Sequence, residues 1–197
     1  MENIIFDFEN HFTPIYEQNV WGGSGSGSFP ENTVSYRQFL QDFLKKNNIK
    51  TVIDYGCGDW QSSKFIDWSS YQYLGIDCVS SVIENNTNVY KSNNVRFMHI
   101  SSLEEFFTHK ADLLIIKDVL QHWVNNEIVV FLEKIKNNFK YILITNSSDQ
   151  KTDWQDEPYR SRPLSCDFYP LKQFCAKKKA VITNNAGNKE ISLITLI

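Results

Sequence analysis

Hydrophobic positions along this chain change period several times. From Thr33 onward, Tyr36, Phe39, Leu40, Phe43 and Leu44 recur at helical spacing, and Lys45-Lys46-Asn47-Asn48 closes the segment. Short apolar runs at about 50–55, 72–77, Val95–Ile100, 111–118 and Tyr141–Asn146 predict five strands. The fourth, Ala111-Asp112-Leu113-Leu114-Ile115-Ile116-Lys117-Asp118, is nearly all apolar, as a strand covered on both faces should be. Helices are expected between the strands. One follows the first strand and carries Phe65, Ile66 and Trp68; a short one contains Val82 and Ile83 and is capped by Ser80 or Ser81; a small one runs from Leu103 to Phe107. The segment 125–137 shows Ile128, Phe131, Leu132 and Ile135 on one helical face. A polar loop at about 147–169 leads to a short helix near Leu171 to Cys175. Two last strands, Ala180–Thr183 and Ile191–Ile197, are joined by an Asn- and Gly-containing turn that favours an antiparallel hairpin. Alternating β/α units followed by a hairpin predict an α/β domain with helices on both faces of a mostly parallel sheet.

The first 34 residues lack such a pattern and read as irregular. They are aromatic and glycine-rich around Trp21-Gly22-Gly23-Ser24-Gly25-Ser26-Gly27-Ser28, so 1–34 is expected to be either a lid or cap over a ligand or a loose tail, with the main domain over 35–197. Lys177-Lys178-Lys179 reads as a solvated turn.

Composition narrows the function. Hydrophobic residues make up 42% and charged residues 22% of 197, enough for one domain with a full core. A net charge of −3 disfavours nucleic acid as a partner, since no global basic field exists. Four cysteines at 57, 78, 166 and 175 form no C-x-x-C pair and no zinc spacing, so no metal is expected and the thiols fit a cytoplasmic protein. No signal peptide or membrane span is evident.

The candidate chemistry lies in Val52-Ile53-Asp54-Tyr55-Gly56-Cys57-Gly58-Asp59-Trp60, followed by Gly75-Ile76-Asp77-Cys78. A strand running into a glycine turn, then a second strand ending in a carboxylate, is how an open sheet builds a nucleoside pocket. Asp59-Trp60 stands where a dinucleotide fingerprint continues toward a third glycine, which suits a nucleoside without pyrophosphate.

With Asp112 to His122 as a third motif and the terminal hairpin, residues 34–197 resemble the class I S-adenosylmethionine-dependent methyltransferases. The resemblance implies a Rossmann-like three-layer sandwich, with a seven-stranded, mostly parallel sheet and an antiparallel C-terminal strand. It implies S-adenosyl-L-methionine as cofactor and S-adenosyl-L-homocysteine as product. It places the methionine moiety against Asp54, Gly56, Cys57 and Gly58, the ribose on Asp77 beside Cys78, the adenine near Ser101 and Ser102, and the amine or reacting methyl near Asp118 and Val119. Ser101 and Ser102 read equally well as a helix cap. Trp21-Gly22, Gly25 to Ser28, Tyr36-Arg37, Gly56 to Trp60 and Asp118 to His122 together resemble a narrower bacterial branch that accompanies glycan, capsule or nucleotide-sugar modification.

The expected reaction is therefore O-methylation of a small polar acceptor such as a sugar or nucleotide-activated glycan precursor. His122, just past the fourth strand, is the candidate base, with Asp118 beside it; packing of the imidazole against the following helix is the competing reading. Arg160 and Arg162 could grip a phosphate or carboxylate, or be ordinary surface charge. Trp21, Tyr36, Arg37 and Trp60 complete the expected substrate-contacting set. His99 reads as structural, and His11 and His109 lack supporting context. A site shared in a homodimer is compatible with the small size. A non-catalytic methyltransferase-like binding subunit and an NAD-dependent oxidoreductase are the competing classes.

Overall fold

The computed structural model describes residues 8–148 and 161–195, and its centre is one seven-stranded sheet. Its strands are β1 (Thr51–Tyr55), β2 (Gln72–Asp77), β3 (Val95–His99), β4 (Ala111–Lys117), β5 (Phe139–Ser147), β6 (Lys177–Asn184) and β7 (Gly187–Thr195). The order is β3-β2-β1-β4-β5-β7-β6. Strands β1 to β5 pair in parallel, whereas β7 is antiparallel to both β5 and β6. This is the three-layer α/β architecture expected from the alternation of elements. The order reverses between β1 and β4, so the crevice at their carboxyl ends is where such a sheet binds ligands.

Period-2 alternation sorts the strand side chains onto two apolar layers. One face collects Ile53, Tyr55, Leu114 and Ile116 against Leu103 and Phe106 of α4 (Leu103–Phe106) and Ile128, Phe131 and Leu132 of α5 (Asn125–Ile135). The other collects Val52, Leu113, Ile115 and Leu143 against Tyr36, Leu40 and Leu44 of α2 (Val34–Lys46). No helix among the described residues is long and apolar enough to cross a membrane.

Four local expectations are corrected. The N-terminal segment is not wholly irregular: α1 (Phe8–Glu17) docks through Phe8, whose ring stacks on Trp123 at 4.7 Å. The helix expected after β1 is absent, replaced by a single 3-10 turn at Ser63–Phe65. Ile66 and Trp68 are buried while Phe65 is exposed, so these residues share no helical face. Neither Ser80 nor Ser81 caps α3 (Ser80–Tyr90); Val79 precedes it, and its N–H is taken by Asp77 Oδ1 at 3.0 Å. Finally, Lys177, Lys178 and Lys179 open the edge strand β6 rather than a turn.

Candidate active site

A cavity of about 500 Å³ occupies the crevice at the β1/β4 switch point. Its floor is the turn after β1. Gly56 takes φ of 74°, and a side chain there would collide with Val119 Cγ2; Gly58 takes φ of 55° with Ser24 Oγ pressed against it. The N–H groups of Gly56 and Cys57 bond the Ile76 carbonyl at 2.8 and 3.0 Å. That of Gly58 bonds Asp77 Oδ2 at 2.9 Å, and that of Asp59 bonds Ser24 Oγ at 2.9 Å. Four consecutive amides are thus committed within the protein.

Two carboxylates stand at the ends of β1 and β2. Asp54 is buried and accepts the Tyr73 hydroxyl on Oδ2 at 2.7 Å, while Tyr73 in turn accepts the Trp60 indole N–H at 2.9 Å. Burial pushes the Asp54 carboxyl up to about 6, against the pull of Tyr73 and of the Lys117 charge. Asp77 is raised by burial too, despite backbone N–H donors from Gly58 and Val79. Cys57 and Cys78 line the same wall, and burial pushes both thiols up, so they stay protonated.

Across the cavity, Asp118 lies at the end of β4 with φ of 58°. Its carboxylate bridges two ammonium groups: Lys117 Nζ at 2.6 Å on Oδ2 and Lys189 Nζ at 2.5 Å on Oδ1. Burial opposes ionisation, but the two charges outweigh it and hold the Asp118 carboxyl below its ordinary range. Lys117 also donates to the Gly27 carbonyl at 2.9 Å, and Lys189 to Ser147 Oγ at 3.1 Å.

The glycine-rich segment roofs the cavity. Ser24 Oγ donates to Asp59 Oδ1 at 2.7 Å and lies 2.9 Å from the Tyr16 hydroxyl; the Ser24 N–H reaches Asp59 Oδ2 at 3.2 Å. Trp21 stacks on His122 with centroids 5.5 Å apart, and Phe12 meets the same imidazole edge-on at 5.7 Å. His122 and Trp60 are buried and line the cavity together with half-buried Val119 and the more exposed Trp21.

Other expected site residues lie elsewhere. Ser101 and Ser102 are not in the lining; their hydroxyls bond Glu105 Oε1 at 2.9 and 3.3 Å, and Ile100 is the cavity residue at the end of β3. Arg37 serves the N-terminal turn instead, donating to the Pro30 carbonyl at 2.8 Å and lying over the Phe65 ring. Tyr36 is buried on the α2 side, with its ring under Lys117 Nζ. Arg162 is buried and donates to the Trp123 carbonyl at 2.7 Å and Asn125 Oδ1 at 2.9 Å, so it braces the loop before α5. Arg160 falls outside the described residues. Sequence reasoning missed Ser147 and Lys189, and quoted Tyr73, Ser24 and Lys117 without giving any of them a role of its own. The β5–β7 register places Lys189 opposite Ser147, a pairing legible only once the hairpin is docked against β5.

No protein-family model and no curated protein matches this sequence. Solved structures do match. Magnesium protoporphyrin IX methyltransferase from Synechocystis PCC 6803, crystallised with S-adenosylhomocysteine, superposes with a TM-score of 0.67 over 96% of this chain and 98% of its own, at 13% identity. The methyltransferase domain of a bacterial Hen1 gives 0.60 over 84% of this chain and all of its own, at 16% identity. The bifunctional kinase-methyltransferase WbdD gives 0.62 over 84% of this chain and 41% of its own, at 15% identity. This chain has the class I methyltransferase fold. In that fold the crevice beyond β1, β2 and β4 is the cavity described above, and the turn carrying Gly56 and Gly58 forms its floor.

Proposed function

We propose that this protein is an S-adenosyl-L-methionine-dependent methyltransferase that O-methylates a small polar acceptor, a sugar or nucleotide-activated glycan precursor. One observation carries the reading: Asp54, Gly56, Gly58 and Asp77 line a single cavity at the switch point of a class I methyltransferase sheet. The donor set fits a nucleoside better than a dinucleotide. A pyrophosphate needs free backbone N–H groups at the glycine turn, and those of residues 56 to 59 are already bonded. The oxidoreductase alternative therefore loses its anchor.

When bound, the cofactor supplies a methyl group on a sulfonium sulfur. The chain's own residues do the rest. Asp77 accepts from the ribose hydroxyls with the lone pairs left over from Gly58 and Val79. Asp54 accepts from the ammonium, and Ile100 packs against the base. His122 receives the acceptor's hydroxyl proton, with Trp21 fixing the plane of its ring. The roof from Trp21 to Ser28 excludes water from the aligned reactants. Asp118 is a weak base, because two lysines stabilise its carboxylate and lower its affinity for a proton; it positions them. Serines 26, 28, 147 and 161 along the lining suit a hydroxylated acceptor. The cysteines of the described residues are all free thiols, in keeping with a cytoplasmic enzyme.

The test is calorimetric titration of wild type and Asp77→Ala with S-adenosylmethionine and S-adenosylhomocysteine. Micromolar binding that the variant weakens by about tenfold or more is expected, as loss of a hydrogen-bonded charge requires. Absence of binding by wild type would sink the reading. Tight binding without turnover on any sugar, nucleotide sugar or other hydroxyl acceptor would instead favour a binding subunit.

A further inference from the structure

Charge in the cavity is divided by position. Asp54, Asp59 and Asp77 ring the end built by β1, β2 and the glycine turn. Lys117 and Lys189, with Asp118 between them, stand at the ends of β4 and β7. In the sheet order β7 lies three strands from β1 and four from β2, roughly 14 and 19 Å at the usual strand spacing. A cation is drawn to one end and an anion to the other.

Among the described residues, the lysine end carries surplus positive charge. Two ammonium groups share the Asp118 carboxylate, and both lysine side chains are almost wholly buried. Asp54 acts on Lys117 through space, but Lys189 stands two strands beyond β4 and among the described residues shares only Asp118. Each ammonium places two of its three N–H donors on described residues: Lys117 on Asp118 and Gly27, Lys189 on Asp118 and Ser147. A buried charge with incomplete compensation is costly, and an incoming anion offsets that cost. Ser147, which accepts from Lys189, adds a hydroxyl donor at this end, and Ser161 also lines the cavity.

We propose that Lys189 and Ser147, backed by Lys117, form an anion subsite that selects an acceptor bearing a phosphate or carboxylate group. The inference rests on the methyltransferase reading only in naming the ligand as the acceptor. It takes over the role expected of Arg162, which is spent on Trp123 and Asn125.

The experiment is calorimetry at low salt with inorganic phosphate, glucose 1-phosphate, glucuronate and glucose as probes, on wild type, Lys189→Gln and Ser147→Ala, each with and without S-adenosylhomocysteine. At least one anion should bind wild type about tenfold tighter than glucose, and Lys189→Gln should abolish that preference while leaving S-adenosylhomocysteine affinity within about twofold. Phosphate and glucuronate then tell the two anion chemistries apart. Ser147→Ala keeps every charge and should weaken the anion by severalfold, so the proposal stays testable if Lys189→Gln fails to fold. No anion preference in wild type overturns the subsite. So does a Lys189→Gln loss that falls on S-adenosylhomocysteine instead, because the lysine would then serve the cofactor's carboxylate. Lysine-dependent anion binding without S-adenosylhomocysteine binding would leave the subsite standing and remove the methyltransferase reading.

Discussion

Tyr73 on β2 donates its hydroxyl to Asp54 on β1 at 2.7 Å while its own oxygen receives the Trp60 indole N–H at 2.9 Å. The relay fixes the carboxylate and seats Trp60 in the left-handed conformation, at φ of 60°, that turns the chain out of the glycine loop. Tyr73→Phe removes one donor and orphans another. Loss of about 1 to 3 kcal/mol of stability is expected, read by urea unfolding. Preserved stability would show that water replaces the hydroxyl.

Asp54 sets a pH dependence. Its carboxyl is raised to about 6 in the free protein, and a cationic ligand favours the ionised form. Affinity for S-adenosylmethionine should be flat above pH 6 and fall by up to about tenfold per unit below it, since binding must then expel a proton. Asp54→Asn should bind weakly with no such slope. A wild-type affinity that is level from pH 5 to 8 would remove Asp54 from the ligand's partners.

His122→Asn tests the proton acceptor. Turnover on a hydroxyl acceptor should fall by about 10² to 10⁴ with S-adenosylhomocysteine affinity unchanged, because general-base loss acts on the chemical step. An equal loss in both would mean that the ring only supports Trp21 and Phe12.

Ser24 ties the roof to the floor through its hydroxyl contacts with Asp59 and Tyr16. Ser24→Ala should accelerate amide exchange across residues 21–28 and speed release of S-adenosylhomocysteine. Exchange unchanged from wild type would mean that Trp21 stacking alone holds the segment.

Acid stability rests partly on Asp112, away from the cavity. Burial opposes its ionisation, but Lys140, the Lys50 and Thr51 amides and the Thr51 hydroxyl bring its carboxyl down to about 2. A carboxyl depressed on folding stabilises above its unfolded value near 4, and that stability is lost as pH falls through about 2. Asp112→Asn should therefore cost about 1 kcal/mol at pH 7, after allowing for solvent screening, and nothing near pH 2. A pH-independent cost would assign the effect to hydrogen bonding alone.

The strand frame was legible because apolar runs such as Leu113–Ile116 admit few other placements, and the floor residues because a glycine turn between strands is a local signal. The roof was half legible. Its glycines marked a loop, but α1 depends on Phe8 finding Trp123, a contact more than one hundred residues away in sequence. The segment after the turn misled because an aromatic-rich stretch resembles a helix until one asks which residues share a face. Arg162 misled because a polar loop looked like a free surface, whereas its side chain is drawn inward by a backbone carbonyl and an amide. Lys189 and Ser147 were hidden for a different reason: strand register decides them, and register is a long-range property.

The three lysines that open β6 have a bearing on assembly. Strand β6 is an outer edge of the sheet, and Lys177, Lys178 and Lys179 are exposed along it. A second molecule pairing along β6 would bring its own three lysines to the same seam, and charged lysines on an edge strand discourage such pairing. The border so marked favours contact with water over service as a template for a further strand.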